Sequence, residues 1–379
     1  MMAGVSRADR LNDGLVEALR REGALRDRRV ERAFRSVRRH WFLPGADLDD
    51  VYTDRAIVTR RSAAGIPTSS SSQPALMARM LEQLDVHAGM AVLEIGTGTG
   101  YNAALLGHLV GPGGSVLTMD VDPAVTAAGE RHLVTAGAGN VTVATGDGWG
   151  QVAVGAVFDR IEATVGVWDI SPAWVEQLQP DGVLVVPLWL AAGQQGSIAF
   201  RKTGAGMEST SIEPCGFMRM RGPGAGQAAY RQVGRWTVSV DRPDPLILEV
   251  LETLLSSSSS VRPAPTLERG WFTAIALGEP DAVHLFSEGP DGPTIATGIL
   301  SVSPPGLAVV ESRPTTGDTL RTFGSDEARV RLLDVIARVP AVDPAALVIS
   351  AMSTGDGVDA GGALTTLVRP NFTFVVRIG

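Results

Sequence analysis

The residues most suited to chemistry stand in one glycine-rich stretch, residues 96–100, which read Gly-Thr-Gly-Thr-Gly. An apolar run at residues 92–95 precedes them and contains one acid, Glu94, and the helix-forming residues 102–106 follow. This order predicts a buried strand, a turn tight enough for backbone to approach a ligand, and a helix that begins at that turn. The stretch is typical of a nucleotide-binding strand–turn–helix unit.

The spacing of the glycines separates two cofactor classes. The dinucleotide fingerprint requires its third glycine one residue after Gly100, where this chain has Tyr101. A Gly-x-Gly-x-Gly loop behind a strand-borne Glu instead resembles the loop of methyltransferases that use S-adenosyl-L-methionine (SAM). On this loop alone, a nicotinamide cofactor and a purely structural loop remain as alternatives.

Two further acids follow strand-like runs. Residues 115–120 read as a second strand that ends at Asp120, and residues 141–145 read as a third strand that Asp147 follows between two glycines. An acid at the first position can accept both ribose hydroxyls of an adenosine. An acid at the second position can accept a hydrogen bond from the adenine amine. The alternative is that these two acids are only a helix cap and a turn residue.

The elements that must position these acids alternate between strand and helix patterns from about residue 90 to residue 190. Residues 158–164 read as a fourth strand, residues 172–178 as a short helix and residues 182–187 as a fifth strand. This alternation predicts an α/β, Rossmann-like fold with ligands at the carboxyl ends of the strands.

Two regions flank this alternating core. The first forty residues contain eleven Arg against six acids, with apolar residues at helical spacing, which predicts two helices that pack on the catalytic domain or dock an acidic partner. We predict N-terminal helices and a connecting segment at 1–67 and a SAM-dependent methyltransferase domain at 68–225. A C-terminal α/β accessory domain for substrate recognition is predicted at 226–379.

Composition argues against several classes of protein. A net charge of −8 disfavours a nucleic-acid-binding surface. The five histidines are scattered without metal-ligand spacing, and no apolar run reaches the roughly 18 residues of a membrane span. A single cysteine, Cys215, excludes an intrachain disulfide, so we expect a cytoplasmic protein without a metal.

Four segments together resemble the protein-L-isoaspartate O-methyltransferase family. They are Ser-Ser-Gln-Pro at residues 71–74, the stretch 92–105, Gly-Asp-Gly at 146–148 and the run 182–187. The similarity spans about residues 42 to 187. It implies methyl transfer from SAM to the carboxylate of an isoaspartyl residue in a protein or peptide, whose methyl ester then forms a succinimide.

The resemblance also implies roles for individual residues. Ser72 matches the family serine that contacts the substrate carboxylate and the cofactor, with a plain helix N-cap as its alternative role. Trp168 and Trp174 are predicted to line a peptide groove or to pack in the core. The residues predicted to bind the cofactor are Ser71, Gln73, Glu94, Gly96, Thr97, Gly98, Gly100, Asp120, Val121, Gly146, Asp147 and Gly148.

Two segments depart from the repair enzymes, and the chain continues well beyond their usual length. Residues 167–174 and 215–222 resemble an actinobacterial branch that methylates aspartate in ribosomally synthesised, modified peptides such as lanthipeptides or graspetides. The leading hypothesis is therefore methylation of an aspartyl side chain in such a peptide. General repair of isoaspartate and a catalytically inactive protein that binds SAM or a peptide are the alternatives.

The reaction demands few catalytic groups. A carboxylate is already a nucleophile at neutral pH, so no general base is required. Rate should come from alignment of the carboxylate with the methyl group and from exclusion of water. A site without a His or Cys constellation is compatible with this chemistry and disfavours a hydrolase.

Overall fold

A computed structural model describes residues 6–379 except 64, 66, 151, 153, 154, 205, 227, 228, 241–243, 268, 269, 290, 291, 313–316 and 339. The chain divides into two compact units. The first contains Met1–Leu188 and Ser197–Gly224, and the second contains Trp189–Gly196 and Ala225–Gly379.

The described part of the N-terminal region forms the α-helices α1 (Arg7–Arg21), α2 (Arg28–Ser36) and the short α3 (Leu48–Val51), with a 3-10 turn at Arg39–Phe42. Ser6 begins α1 with a capping box, because its hydroxyl accepts from the Asp9 amide while the Asp9 carboxylate accepts from the Ser6 amide. The apolar faces of α1 and α2 are buried in the first unit. Their arginines pair mainly with acids of these two helices. Arg35 of α2, for example, pairs with Asp13 and Glu17 of α1 and with Glu31 of α2.

The first unit continues as an α/β domain. Its elements in chain order are β1 (Ile57–Arg61), β2 (Pro67–Ser71), α4 (Pro74–Leu84), β3 (Ala91–Ile95), α5 (Tyr101–Val110), β4 (Ser115–Asp120), α6 (Pro123–Thr135), β5 (Val141–Thr145), β6 (Phe158–Ala163), α7 (Pro172–Gln177), β7 (Leu178–Trp189), β8 (Gln195–Thr203) and β9 (Gly206–Pro214). Strands β1 and β2 form a separate antiparallel pair.

The main sheet of this unit has the strand order β9-β8-β7-β6-β3-β4-β5. Strands β7, β6, β3, β4 and β5 run parallel. From β3 the chain proceeds to β4 and β5 on one side and then crosses to β6 on the other. Such a reversal leaves a crevice at the carboxyl ends of β3 and β6, where doubly wound folds bind ligands. The predicted Rossmann-like fold is confirmed.

The strand β3 forms because Val92, Leu93 and Ile95 are covered on both faces of the sheet. Helix α5 packs beside it with most of its residues buried. Tyr101, the first residue of α5, meets Phe34 of α2 edge to face at 6.2 Å between ring centroids. These contacts fix the turn between β3 and α5 in place.

The second unit is a mixed α/β structure of its own. Its elements are β10 (Ala229–Val233), β11 (Trp236–Val240), α8 (Pro245–Leu255), β12 (Ser259–Pro263), α9 (Trp271–Gly278), β13 (Ala282–Gly289), β14 (Gly292–Val302), β15 (Pro305–Ser312), β16 (Thr319–Gly324), α10 (Glu327–Arg338), β17 (Leu347–Ser353), β18 (Thr365–Val368) and β19 (Phe372–Ile378). Seven strands form an antiparallel sheet in the order β10-β11-β13-β14-β15-β16-β12. Strand β19 pairs antiparallel with both β17 and β18.

Helices pack on this sheet through apolar residues, for example Leu251 and Leu254 of α8 with Leu285 of β13. Within the described ranges of the chain, no helix combines the length and apolar character that a membrane span requires.

Candidate active site

A cavity of about 850 Å³ lies at the carboxyl ends of β3, β4, β5 and β6. Residues 95–99 contribute the glycine loop, residues 119–121 and 146–148 contribute the ends of β4 and β5, and residues 67–73 contribute β2. Residues 214–221 line the cavity as well. All of these residues belong to the first unit.

Gly96 and Gly98 hold the loop in left-handed conformations, with φ of 111° and 51°. A Cβ at Gly96 would lie 2.5 Å from Thr164 Oγ1, so a larger residue would displace the neighbouring strand end. The amides of Gly96 and Thr97 both donate to the carbonyl of Met119, at 2.8 and 3.1 Å. The loop is therefore anchored to β4 while its other atoms face the cavity.

Gly100 differs from the other predicted loop residues because it is not among the described residues that line the cavity. It is the N-cap of α5 with φ of 85°. A Cβ there would lie 3.2 Å from the carbonyl oxygen of Gly129 in α6. Gly100 thus serves helix packing, and its predicted cofactor contact stays a prediction.

Asp120 and Asp147 both line the cavity, as predicted from their strand-end positions. Asp120 Oδ1 accepts from the Asp122 amide at 3.1 Å, and Oδ2 lies 3.4 Å from the Gly98 amide nitrogen. The cap of α6 is Asp122, so Asp120 is not a helix cap. Asp147 Oδ1 accepts from the Trp149 amide at 3.0 Å, which makes Asp147 a turn residue that also faces the cavity.

Val121, Gly146 and Gly148, which were predicted to bind the cofactor, also line the cavity. The Val121 side chain is 45% exposed, an unusual position for valine that leaves its apolar surface available to a ligand. Gly148 is required for packing, since a Cβ would lie 2.7 Å from Ile95 Cγ2.

Glu94 lies behind the loop, outside the set of described cavity-lining residues. It is completely buried, and its carboxyl group accepts hydrogen bonds from Thr118 Oγ1 and, at 2.8 Å, from Asn102 Nδ2. Thr118 in turn bonds Thr97 of the loop at 2.9 Å. Burial raises the pKa of Glu94 to about 7. Glu94 thus positions the loop through Thr118, and its predicted cofactor contact stays a prediction.

Glu162 was not predicted as a site residue. It stands beside Glu94 on the neighbouring strand β6, and its Oε2 accepts from Asn102 Nδ2 at 2.7 Å. Unlike Glu94, it lines the cavity. Burial and the nearby Glu94 raise its pKa to about 8. The strand reads Phe-Asp-Arg-Ile-Glu-Ala at residues 158–163 and already contains Asp159 and Arg160, so the charge of Glu162 alone did not mark it as a site residue.

Ser71 and Ser72 line the cavity next to β2 and are held by Arg39. The Arg39 guanidinium is fully buried and donates to the carbonyls of Val51, Arg55 and Ser72 at 2.9, 3.0 and 2.9 Å. It also lies 3.3 Å from Ser71 Oγ. Burial lowers the pKa of Arg39. This arginine, which the sequence did not single out, fixes the serine segment.

The predicted alternative role for Ser72, an N-cap of α4, is wrong. Gln73 is the N-cap and makes no side-chain cap hydrogen bond. Asp54 supplies the cap instead, because its Oδ1 accepts from the Ala75 amide at 2.8 Å and its Oδ2 accepts from Gln73 Nε2 at 2.7 Å. Gln73 lines the cavity, as predicted for a cofactor contact. The half-buried Ser72 is therefore available for a role in the cavity.

Trp168 and Trp174 do not lie among the described cavity-lining residues. Trp174 is fully buried, donates from Nε1 to the Gly148 carbonyl at 2.7 Å and meets Trp149 at 5.4 Å between ring centroids. Trp168 is 8% exposed. Their large apolar rings are buried, so core packing describes them better than the predicted peptide groove.

The segment 218–221 closes another side of the cavity. The Gly166 amide donates to the Met218 carbonyl and the Met220 amide donates to the Gly166 carbonyl, both at 2.8 Å. Arg221 at its end extends to Asp120, with 3.5 Å between Nη2 and Oδ1. Together with Arg79 and Arg219, Arg221 gives the cavity three cationic side chains.

The geometry fits the predicted cofactor. Two carboxylates on adjacent strand ends can accept hydrogen bonds from the ribose and the adenine, and the glycine loop leaves room for a ligand beside the backbone. No group of three or more potential metal ligands occurs in the part of the chain that the structure describes.

Comparison with known proteins identifies one family. The model of the family described as Protein-L-isoaspartate(D-aspartate) O-methyltransferase matches residues 10–222. The protein-L-isoaspartate O-methyltransferase of Methanopyrus kandleri is 35% identical over 205 residues, which are 52% of this chain and 88% of that protein. The corresponding protein of Pyrococcus horikoshii is 37% identical over 174 residues, 46% of this chain and 75% of its own.

A solved structure described as protein-L-isoaspartate O-methyltransferase has the same fold. It aligns with a TM-score of 0.54 and 24% identity over 89% of this chain and 95% of its own. The aligned part of this chain is longer than the first unit alone. The likeness in fold therefore extends into the second unit.

Proposed function

The chain belongs to the protein-L-isoaspartate(D-aspartate) O-methyltransferase family, and we propose on that premise that it methylates a carboxylate in a peptide. SAM is the methyl donor of this family, as the glycine loop predicted. The substrate that we propose is an aspartyl side chain in a ribosomally synthesised, modified peptide in the cytoplasm.

The observation that carries the proposal is a cavity with acids for a cofactor and cations for a carboxylate substrate. SAM, when bound, supplies a methyl group on a positively charged sulfur. The peptide carboxylate is already a nucleophile, so the protein must align it and exclude water. Among the described cavity-lining residues none is a histidine, which suits a reaction without a general base.

Arg221 is our candidate for the cation that receives the substrate. Its side chain is 52% exposed and its distance to Asp120 is 3.5 Å, so the pair is weak and exchangeable. When Asp120 accepts hydrogen bonds from ribose hydroxyls, the guanidinium can turn to an incoming carboxylate. Arg79 is less available because it pairs with Glu213 at 3.0 Å. Ser72 lines the same cavity and is the predicted hydroxyl contact for the substrate.

The choice of a modified peptide rests on two segments of sequence. Residues 167–174 and 215–222 resemble the peptide-modifying branch, and most of the second segment lines the cavity. Substrate choice would then depend on side chains such as Arg219 and Arg221, which can favour one partner and repel another.

General repair of isoaspartate is the second candidate. It is favoured by the names of the relatives and by the solved methyltransferase whose fold covers most of this chain. A second unit is therefore not a feature peculiar to peptide-modifying enzymes. A catalytically inactive binding protein is the remaining alternative.

One methylation assay separates these candidates. The full chain is incubated with labelled SAM and a linear isoaspartyl peptide, its linear aspartyl isomer, or a cyclic peptide with an aspartyl side chain. We expect ester formation mainly on the cyclic peptide. Faster methylation of the linear isoaspartyl peptide would establish repair. Binding of S-adenosyl-L-homocysteine (SAH) without ester on any of them would establish an inactive protein.

Asp120→Ala is the control for the cofactor site. Charge-assisted hydrogen bonds contribute about 1.5–3 kcal/mol, so this change should weaken SAH binding at least roughly tenfold. Asp122→Ala removes the neighbouring cap of α6 without removing a cavity acid. It should cost stability while leaving SAH affinity unchanged.

A further inference from the structure

One buried carboxyl oxygen in the cavity has no assigned role. Glu162 is 1% exposed and lines the cavity. Its Oε2 accepts from Asn102 Nδ2 at 2.7 Å, whereas its Oε1 is buried and has no hydrogen-bond partner. Buried polar atoms are nearly always paired, so an unpaired acceptor in a binding cavity points to a donor on the ligand.

The neighbouring buried acid, Glu94, has hydrogen-bond partners for both of its carboxyl oxygens. Both Glu94 oxygens accept hydrogen bonds, from Thr118 and from Asn102. The two acids occupy paired positions on β3 and β6 and share one amide group. The difference between them is that Glu162 lines the cavity and keeps one acceptor unused.

The order of the strand ends suggests which part of the cofactor meets Glu162. Asp147 follows β5, Asp120 ends β4, the glycine loop follows β3, and Glu162 lies on β6 at the other side of the loop. With adenine and ribose at the first two positions, an elongated cofactor continues across the loop with its amino-acid end towards β6. SAM carries two cationic groups in that part, an ammonium and a sulfonium, and only the ammonium has N–H donors.

We propose that Glu162 is a cofactor-binding residue whose second carboxyl oxygen accepts a hydrogen bond from the ammonium of the amino-acid part of SAM, with the carboxyl group ionised in the complex. The inference rests on the proposed use of SAM and adds a contact for its amino-acid end. SAH keeps the ammonium and loses the sulfonium charge. Glu162 should therefore bind the methyl donor SAM and the product SAH with similar strength.

The test is calorimetric titration of the full chain with SAM, SAH and 5′-methylthioadenosine, which lacks the amino-acid part. Glu162→Gln should raise the Kd for SAM and for SAH at least tenfold and leave the Kd for 5′-methylthioadenosine unchanged. Asp159→Asn is the matched control. Asp159 lies on the same strand, accepts from the Ala91 amide at 2.8 Å and lies outside the described cavity lining, so all three Kd values should stay as in the wild type.

Each other outcome overturns a distinct statement. Unchanged SAH binding by Glu162→Gln, with normal wild-type binding, would overturn this inference alone. Equal weakening of all three ligands would assign Glu162 a structural role, and weakening of SAM alone would assign it to the sulfonium; either result overturns the ammonium contact. If the wild type binds neither SAM nor SAH, the cofactor assignment itself fails.

Discussion

Ser72 and Asp54 stand close in the fold but should behave differently when changed. Both residues line the cavity, but only Asp54 also caps α4. Ser72→Ala should therefore lower turnover strongly and leave thermal stability close to that of the wild type. Asp54→Ala should cost about 1 kcal/mol of stability, as expected for loss of a cap. Rate measurements and thermal unfolding of both variants test the assignment.

The opposite pattern would contradict it. If Ser72→Ala destabilises the protein as much as Asp54→Ala and keeps full turnover, the serine is structural. Arg39 holds the Ser72 carbonyl in both variants, so the backbone of the segment provides no reason for such a result.

The buried acids Glu94 and Glu162 make stability depend on pH. Their pKa values, about 7 and about 8, lie above the ordinary 4.5. As pH rises, the unfolded chain releases these protons at a lower pH than the folded chain does. The folded state therefore binds more protons between about pH 5 and pH 8, and stability falls as pH rises through that interval. The slope is at most about 1.4 kcal/mol per pH unit for each proton.

Glu162→Gln isolates this effect. It removes one titrating group, while Glu94 and Asp120 remain as the nearby acids in both proteins. The variant should lose less stability than the wild type between about pH 5 and pH 8, as measured by denaturant midpoints. Parallel curves for the two proteins would show that Glu162 titrates like an exposed glutamate.

At the scale of elements, Arg39 joins the segment 51–55 to the end of β2 through backbone carbonyls. Arg39→Met would leave several buried carbonyls without a donor and should cost on the order of 3 kcal/mol or more. Arg7→Met is the control, since Arg7 pairs with Asp49 on the surface with 57% of its side chain exposed. That change should cost less than about 1 kcal/mol.

Denaturant unfolding of both variants measures the difference. Turnover should also fall with Arg39→Met, because Ser71 and Ser72 lose the side chain that holds them. Similar costs for the two substitutions would mean that water replaces the guanidinium in the buried site.

Several elements follow from local sequence. Strands β3, β4 and β5 were predicted because apolar runs end at glycine or aspartate. Helix α8 has an equally local signal, since Asp244 caps it and Pro245 begins its apolar run. Others depend on distant partners. The serine tract at 256–260 has the composition of a solvated loop, yet its end enters β12, because Ser259 and Ser260 pair with Phe323 and Thr322 of β16. Propensity is a weak guide where a partner strand supplies the hydrogen bonds.

In the candidate site, too, residues with a local sequence signal differ from residues that depend on distant partners. Asp120 and Asp147 could be predicted because they lie next to their own strand ends. Arg39, Glu162 and Arg221 could not, because their partners Ser72, Asn102 and Asp120 lie far away in sequence. Sequence patterns place residues within an element, whereas these contacts arise from the way the elements pack.

At the scale of the whole molecule, the role of the C-terminal region remains a proposal, as does the predicted division at residues 67 and 225. The second unit includes the internal segment 189–196, whose Leu190 carbonyl accepts from Arg369 at 2.8 Å. A test of the second unit must therefore remove both parts. We suggest a chain that ends at Gly224 with residues 189–196 replaced by a short Gly-Ser loop.

This shortened chain should still bind SAH, because every described residue of the cavity belongs to the first unit. We expect it to lose at least tenfold in kcat/KM for the cyclic peptide while its rate on a linear isoaspartyl peptide changes little. Equal rates on the cyclic peptide for the short and full chains would remove substrate recognition from the second unit.

The Asp147–Gly148 pair in the cavity has a consequence for the protein's own durability. Gly148 cannot be replaced without conflict with Ile95. Because glycine leaves its amide nitrogen unshielded, an aspartyl–glycyl sequence cyclises and reopens as isoaspartate more readily than most others. The protein thus carries, at a predicted cofactor-binding acid, the type of sequence that ages into the damage for which its family is named. An old molecule of this enzyme is itself a candidate for repair.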